Sequence, residues 1–439
     1  MGTAWIRNGP IVAYYVDATN GSDDNPGTKA DPWQTITKVN AETFAAGVLV
    51  LFKRGETFAT NTRLVCSDGV TYSAYGSGAN PILNGGTAAG AISCIGKSNI
   101  TIQQLDLRDG TTTVNLSGTY ITMQDCEASL SDGYGINVYG LAANVHHVTI
   151  SRCTVHDNIT GHGIYIGNSG SVTGGPTDII VEDCIVYSNG DTATQDHGIY
   201  AQDGLRYTIR RNTCYSNFAD GIVIKDHGSG SNSLVERNKC YSNGHYGINA
   251  SNLNSGSNVI VRNNICYSNS NTNLWIANAT IGAVFYHNTL VNAVGTDSGN
   301  GLQVSATASG NLIKNNIIIQ DASVVGNIRP YRFANDTCLA ANTWNNNCVY
   351  YPNNTDSDKV ATRTSPLSGY TWAQWQALSG TPDINGINVD PEFVTNYTDL
   401  HLQATSDCIA AGEAGLVTDD YDGVTRGAAA DIGALEYVA

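Results

Sequence analysis

Short stretches of alternating apolar and polar residues recur along the middle of the chain and predict many short β-strands. Seven segments repeat one unit of an alternating strand, a polar corner and a second strand: VTISRCTVHDN (148–158), IIVEDCIVYSN (179–189), YTIRRNTCYSN (207–217), SLVERNKCYSN (233–243), VIVRNNICYSN (259–269), AVFYHNTLVN (283–292) and NLIKNNIIIQ (311–320). A repeat of roughly 26–31 residues is the signature of a solenoid. The two-residue alternation and the scarcity of helix formers make its unit β rather than α.

One corner position of the repeat is occupied by Cys or Asn in eight successive units: Cys126, Cys153, Cys184, Asn212, Asn238, Asn264, Asn288 and Asn316. We expect the Asn side chains to stack and to hydrogen-bond from coil to coil, because this pairs turn backbone that would otherwise be buried alone. Cysteines also recur once per unit without any C-x-x-C pair, so we expect one ladder of reduced, inward thiols: Cys126, Cys153, Cys184, Cys214, Cys240 and Cys266.

Composition narrows the class of protein. The chain has 439 residues, of which only 14% are charged and 47 are Gly, which suits strands joined by tight turns. The net charge of −16 argues against the nucleic-acid backbone as a partner. No apolar run reaches membrane-spanning length, so we expect no membrane insertion. Charge and composition leave the oligomeric state open.

The two ends of the chain and the Asn column carry a family resemblance. YYVDATNGSDDNPGTKADPWQTI (14–36) resembles the opening strand and turn of secreted right-handed parallel β-helix proteins that act on polysaccharides, and DIGALEY (431–437) resembles their closing segment. The resemblance implies an all-β, right-handed parallel β-helix and secretion, with a signal peptide not in this chain. We expect one domain over 1–439, with an N-terminal cap over about 1–60, coils over 61–320, and loops and a closing segment over 321–439. Short capping helices are expected within 33–47 and 370–380.

A second repeated phrase contains the candidate chemistry: GHGIYIGNSG (161–170), DHGIYAQDG (196–204), DGIVIKDHG (220–228) and HYGINASN (245–252). Each copy contains a short strand, such as 199–201, whose first and third residues should face inward and whose middle residue should face outward. The outward column is then Asn137, Tyr165, Tyr200, Val223 and Asn249, and the column before the glycine is Tyr134, His162, His197, Asp220 and Tyr246. Coils stack about 4.8 Å apart, so these polar and aromatic side chains should form a sugar-binding groove on one face.

Two families share these columns. Asp220 and Lys225 in DGIVIK match the first calcium-binding phrase of pectate lyases of polysaccharide lyase family nine. The next coil reads HYGIN, where that family has carboxylates. The phrase HGIYAQ aligns with the catalytic phrase of mannuronan C5-epimerases, with His197, Tyr200 and Gln202 in place of that family's Tyr, Asp and His. The resemblance therefore implies chemistry at C5 of a uronic acid, without a required cofactor. Calcium is the one metal that it suggests.

That chemistry needs a base, an acid and a cation for the substrate carboxylate. We expect His197 as the base, Tyr200 or Tyr165 as the acid and Lys225 as the cation, with Asp220 orienting His197. The remaining expected contacts to a polysaccharide substrate are His162, Tyr165, Asp196, Gln202, His245 and Tyr246. The leading hypothesis is a polysaccharide lyase. The alternatives are a glycoside hydrolase that uses two carboxyl groups among Asp196, Asp203, Asp220 and Asp226, and a non-catalytic carbohydrate-binding phage or surface protein.

Overall fold

Three parallel β-sheets form the body of the protein in a computed structural model that describes residues 12–59, 61–87, 89–168, 174–191, 195–292, 299–320, 329–351, 359–395 and 398–438. Sheet A contains Ala13–Val16, Leu49–Lys53, Thr71–Tyr75, Ser98–Gln103, Thr119–Gln124, His146–Ser151, Thr177–Glu182, Thr208–Arg210, Leu234–Glu236, Ile260–Arg262, Val284–Tyr286, Leu312–Lys314 and Thr343–Asn345. Sheet B contains Thr57–Ala59, Ile82–Asn84, Asp106–Arg108, Glu127–Ser129, Thr154–His156, Ile185–Tyr187, Thr213–Tyr215, Lys239–Tyr241, Ile265–Tyr267, Thr289–Asn292, Ile317–Gln320 and Cys348–Tyr350.

Sheet C completes each coil and contains Leu64–Val65, Ile92–Ser93, Thr112–Asn115, Tyr134–Tyr139, Ile164–Gly167, Ile199–Gln202, Ile222–Lys225, Tyr246–Ser251, Thr272–Ala277, Asn300–Val304, Tyr331–Phe333, Lys359–Thr364 and the antiparallel Leu367–Thr371. The chain visits sheets A, B and C in turn, and each strand pairs in parallel with its equivalent one coil later. This is the expected parallel β-helix. Inward residues such as Ile199, Ala201, Ile222 and Ile224 are fully buried and form its core.

The coils extend further than the sequence pattern suggested. Sheet A already begins at Ala13–Val16, and the range 321–369, expected to be loops, contributes strands to all three sheets. The repeat is hard to read there because large aromatic residues replace the small core residues of the earlier coils. Tyr331, Phe333 and Trp344 fill the same interior and are 4% exposed or less.

Two asparagine ladders run along the corners. In the expected ladder between sheets A and B, each amide nitrogen of Asn212, Asn238 and Asn264 donates to the next Asn oxygen at 3.0 Å. This ladder continues through Asn347 to Asp383. A second ladder between sheets B and C went unnoticed in the sequence, although every YSN triplet contains one of its members: Asn189, Asn217, Asn243 and Asn269. Each net hydrogen bond contributes about 0.5–1.5 kcal/mol.

All eleven cysteines are buried free thiols, as expected for reduced core residues. They do not form the single ladder that their spacing suggested. Cys184 lies in the A–B corner column and its backbone N–H donates to Asn212, whereas Cys214, Cys240 and Cys266 pair with one another in sheet B. The near-constant spacing concealed a shift of two positions between the two columns, because Cys is accommodated both at the A–B corner, beside the Asn ladder, and at the inward strand position two residues further on.

Helices cover the two ends. Helix α1 (Ile36–Ala41) is capped by the Thr35 hydroxyl and buries Ile36 and Val39 against the first coils. Helices α2 (Asp336–Ala340) and α3 (Trp372–Gln376) lie near the last coils, and the buried Trp375 of α3 stacks on Tyr331 with ring centroids 4.9 Å apart. Covering the terminal strand edges protects them from pairing with other chains.

The C-terminal segment packs along the side of the coils. Its antiparallel strands Phe393–Thr395 and Asp399–Leu402 share a buried apolar cluster with Ile265 and Ile317 of sheet B. Arg426 is buried and donates to Glu436 at 2.9 Å and to Asn263 at 3.0 Å, which fixes the segment against the A–B corner. None of the described helices has the length and apolar character needed to cross a membrane.

Candidate functional site

Glycines in the repeated phrase set the position of the candidate site on sheet C. Gly163, Gly198, Gly221 and Gly247 have φ angles outside the left-handed region, so backbone conformation does not require them. A Cβ at Gly198 would lie 2.7 Å from the Asn217 amide nitrogen, and the other three meet the same ladder at 2.7–2.8 Å. The second Asn ladder therefore requires glycine here. This close approach places the preceding residue in register from coil to coil.

The outward column has the expected register. From coil to coil, the paired residues of this column are Asn137, Tyr165, Tyr200, Val223, Asn249 and Trp275. Trp275 is a site residue that sequence reasoning missed. The alternation of NLWI in 273–276 contains the signal, because it places the indole in the same outward column as Asn249.

Five rings from these two columns form one stack: Tyr134, His162, Tyr165, His197 and Tyr200. Their neighbouring planes lie within 18° and their centroids 4.6–5.8 Å apart. The Gln202 amide ties the stack together by donating to the Tyr165 hydroxyl and accepting from the Tyr200 hydroxyl, both at 2.9 Å. His162, Tyr165 and Gln202 are each at least nine-tenths buried, and none of them lines the open pocket that adjoins the stack.

An open pocket of about 210 Å³ adjoins the end of the stack. Six of the ten expected site residues line it: His197, Tyr200, Asp220, Lys225, His245 and Tyr246. The described lining is completed by Gln195, Val223, Asn249, Ser251, Trp275 and Asn278. Asp196 is not among these residues. It is 4% exposed and its side chain lies against Gly190 in the same B–C turn, so Asp196 and Asp220 do not face each other across this pocket.

Asp220 is the central anion of the pocket and is almost completely buried. Its carboxylate accepts hydrogen bonds from the Tyr246 backbone N–H at 3.1 Å and from the Asn249 amide at 2.9 Å. The Nδ1 atom of His245 lies 3.5 Å from the same carboxylate. A buried carboxylate needs such partners to remain ionised. Asp220 is therefore fixed in place with one histidine directed at it from the solvent side.

The two pocket histidines differ in the direction of their pKa shifts and in their orientation. Nδ1 of His197 accepts the backbone N–H of Asp220 at 3.1 Å, which places the proton of the neutral ring on Nε2. Burial lowers the pKa of His197 and outweighs the carboxylate of Asp220, so the 3.4 Å approach of Asp220 to Nδ1 is not an ion pair at neutral pH. The hydrogen bond to Asp220 raises the pKa of His245, whose side chain is 38% exposed.

Tyr200 and Lys225 are neighbours in the pocket, and Lys225 supplies its positive charge. Burial raises the pKa of Tyr200 although Lys225 opposes the shift. Burial lowers the pKa of Lys225, but the neighbouring Tyr200 and Asp226 raise it overall, so the amine is charged at neutral pH. Nearby, burial and the charge of Asp226 raise the pKa of Asp203 to about 6. Among the described residues, no group of three or more His, Cys, Asp or Glu is arranged to hold a metal ion.

The chain belongs to the right-handed β-helix family. The family model described as "Right handed beta helix region" matches residues 78–229 and 141–318, which together cover more than half of the chain. No curated protein sequence is significantly similar to it.

Several solved structures share the fold over most of the chain. Pectate lyase Pel9A is 17% identical with a TM-score of 0.54, covering 97% of this chain and 96% of its own. XylC in complex with xylose is 11% identical with a TM-score of 0.57, covering 97% and 98%. The A-module of the Azotobacter vinelandii mannuronan C-5 epimerase AlgE6 is 15% identical with a TM-score of 0.56, covering 81% and 96%. At these identities the similarity shows the fold alone.

Proposed function

We propose that this protein is a polysaccharide lyase that cleaves a uronic-acid-containing chain by β-elimination at the sheet C pocket. The observation that carries the proposal is the pair of Asp220 and His245 facing an open pocket that also holds Lys225. Similar folds in a pectate lyase and a mannuronan epimerase support a uronate substrate. We further propose that the protein is secreted and requires no metal.

The geometry favours His245 over His197 as the base. His197 presents its protonated Nε2 and needs Nδ1 for the Asp220 N–H, so accepting a proton would disrupt its own contact. His245 has its Nδ1 against a fixed carboxylate and an exposed ring, and Asp220 stabilises the imidazolium that forms when His245 takes a proton. This is the arrangement in which a carboxylate orients a catalytic imidazole. His197 is then a positioning residue that supports Asp220.

The reaction follows from these assignments. Lys225 pairs with the substrate carboxylate and lowers the cost of negative charge at C5. Nε2 of His245 takes the C5 proton, the electrons of that bond form the C4–C5 double bond, and the C4–O bond breaks. Tyr200 keeps its proton at neutral pH because burial raises its pKa, and its hydroxyl turns from the Gln202 side-chain carbonyl oxygen to the leaving oxygen and donates the proton there. Trp275 and Tyr246 provide ring surface for a neighbouring sugar.

Product analysis tests the proposal. Uronate polysaccharides incubated with the protein should yield an unsaturated product that absorbs in the ultraviolet, with one new reducing end for each double bond. His245→Ala should reduce turnover by about 10²–10⁴-fold, and the matched control His146→Ala, outside the pocket, should not. Binding without either product would instead support the non-catalytic alternative.

Glycoside hydrolysis is the second candidate because of Asp203. A carboxyl group with a pKa of about 6 remains partly protonated near neutrality, and Asp226, one coil further on, supplies a second carboxyl group. Hydrolysis would produce reducing ends without ultraviolet absorbance, and Asp203→Asn would abolish them. Under the lyase proposal, Asp203→Asn retains activity.

A further inference from the structure

A second pocket lies between sheet B and the C-terminal strands, outside the site described above. Its volume is about 150 Å³, far above the roughly 10–15 Å³ that a single water molecule needs. Its floor is apolar, because Ile265, Leu400 and Leu435 are each at least nine-tenths buried beneath it. Tyr267 and Tyr421 add aromatic rings to this floor.

Tyr267 ends a row of stacked rings along the outside of sheet B. The row contains His156, Tyr187, Tyr215, Tyr241 and Tyr267, with successive centroids 4.8–5.0 Å apart and planes within 8°. Within the row each ring covers the face of the next. Val291 occupies the following position of the column, so the row stops at Tyr267, where the pocket opens.

The rim of the pocket is polar and its charges balance. His401 lies between two carboxylates, with Nδ1 2.5 Å from Asp399 and Nε2 2.9 Å from Asp422. Burial lowers the pKa of His401, but its hydrogen bonds to both carboxylates raise it overall. The Lys239 ammonium is directed at the faces of Tyr241 and Tyr267, 5.7 and 5.5 Å from their centroids. With His401 protonated, the two anions and two cations leave no surplus positive charge.

We propose that this pocket binds one unit of a neutral sugar, independently of the reaction at sheet C. An aromatic and aliphatic floor matches the apolar C–H face of a pyranose ring. Carboxylates and an imidazole on the rim match its hydroxyl groups as acceptors and donors. A carboxylated sugar would bring a third anion beside Asp399 and Asp422, which already flank His401. A wholly apolar ligand would bury the charged rim without partners.

Calorimetric titration of the full chain tests the assignment, with xylose, galactose and glucose oligosaccharides as neutral probes and oligogalacturonate as the acidic probe. The His245→Ala background prevents turnover during the measurement. We expect at least one neutral probe to bind and Tyr267→Leu to weaken it by about tenfold. Tyr187→Leu is the matched control, because it removes a ring from the same row three coils away, and it should change affinity by less than about twofold.

Asp422→Asn separates a binding defect from a folding defect, because this carboxylate is exposed on the rim and its loss should leave the melting temperature near that of the parent. It should weaken the neutral probe as Tyr267→Leu does. The assignment is overturned if no neutral probe binds, if Tyr187→Leu and Tyr267→Leu lose affinity equally, or if Asp422→Asn leaves binding unchanged. Stronger binding of oligogalacturonate that is lost in Tyr267→Leu would also overturn it.

Discussion

Replacing Asp220 with Asn removes the buried negative charge of the sheet C pocket while preserving the size of the side chain. The new amide still accepts the Tyr246 backbone N–H through its oxygen. Its nitrogen would face the Asn249 amide nitrogen, but the Asn249 oxygen has no partner and is buried. A flip of Asn249 therefore restores the hydrogen bond, and we expect the free energy of unfolding to change by no more than about 1 kcal/mol.

The electrostatic consequence is larger than the structural one. Asp220 raises the pKa of His245 above its ordinary value of 6.5, so the variant should return this pKa toward 6.5. The charged imidazolium stabilises the folded state fully below pH 6.5, and this contribution disappears as the pH rises through the raised pKa. The variant loses this contribution at every pH below the raised pKa, and most of all below pH 6.5. Turnover should fall by about 10²–10⁴-fold, because the imidazolium formed during proton transfer lacks its counter-charge.

Nuclear magnetic resonance titration of the histidines in Asp220→Asn checks the pKa shift, with His401, held by Asp399 and Asp422, as an internal control that should not move. A pH–rate profile should show its His-dependent limb at lower pH, and urea unfolding at a pH above the raised pKa of His245 should show nearly parental stability. An unchanged pKa of His245 would refute the electrostatic reasoning. Parental turnover would remove Asp220 and His245 from the proposed mechanism.

Three further predictions test the metal, the stack and the ladder. Chelation by EDTA should leave turnover intact, and rescue of a chelated, inactive protein by calcium would contradict the proposed metal-free mechanism. His197→Ala should lower the free energy of unfolding by about 1–3 kcal/mol, because the ring is buried between His162 and Tyr200, and it should also lower turnover. Parental stability in urea would show that the stack contributes little. Asn238→Ala should cost about 1–3 kcal/mol in urea unfolding, because it leaves the buried Asn212 donors of the ladder unpaired. Asn254→Ala, at an exposed position without a positive φ, should change stability by less than about 0.5 kcal/mol.

The sequence by itself determined the β-helix and the register of its columns. A fixed repeat forces equivalent positions to stack, so inward Ile199 and outward Tyr200 follow from alternation alone. The same periodicity located the phrase that contains Asp220, Lys225 and His245. It failed where aromatic residues replaced small core residues, as at Tyr331 and Phe333, because repetition rather than packing volume was the signal.

Only the tertiary structure decided which of the repeated residues are available for chemistry. Stacking buries His162 and Tyr165, whereas the side chain of His245, one position before the pre-glycine column, is 38% exposed. The hydrogen bond that fixes the proton of His197 depends on the backbone of the next coil, and no local sequence pattern contains that contact. The sheet B pocket likewise exists because residues more than a hundred positions apart, such as Tyr267 and Tyr421, pack together. Periodicity places side chains in columns, whereas burial, proton positions and contacts between distant segments depend on the complete fold.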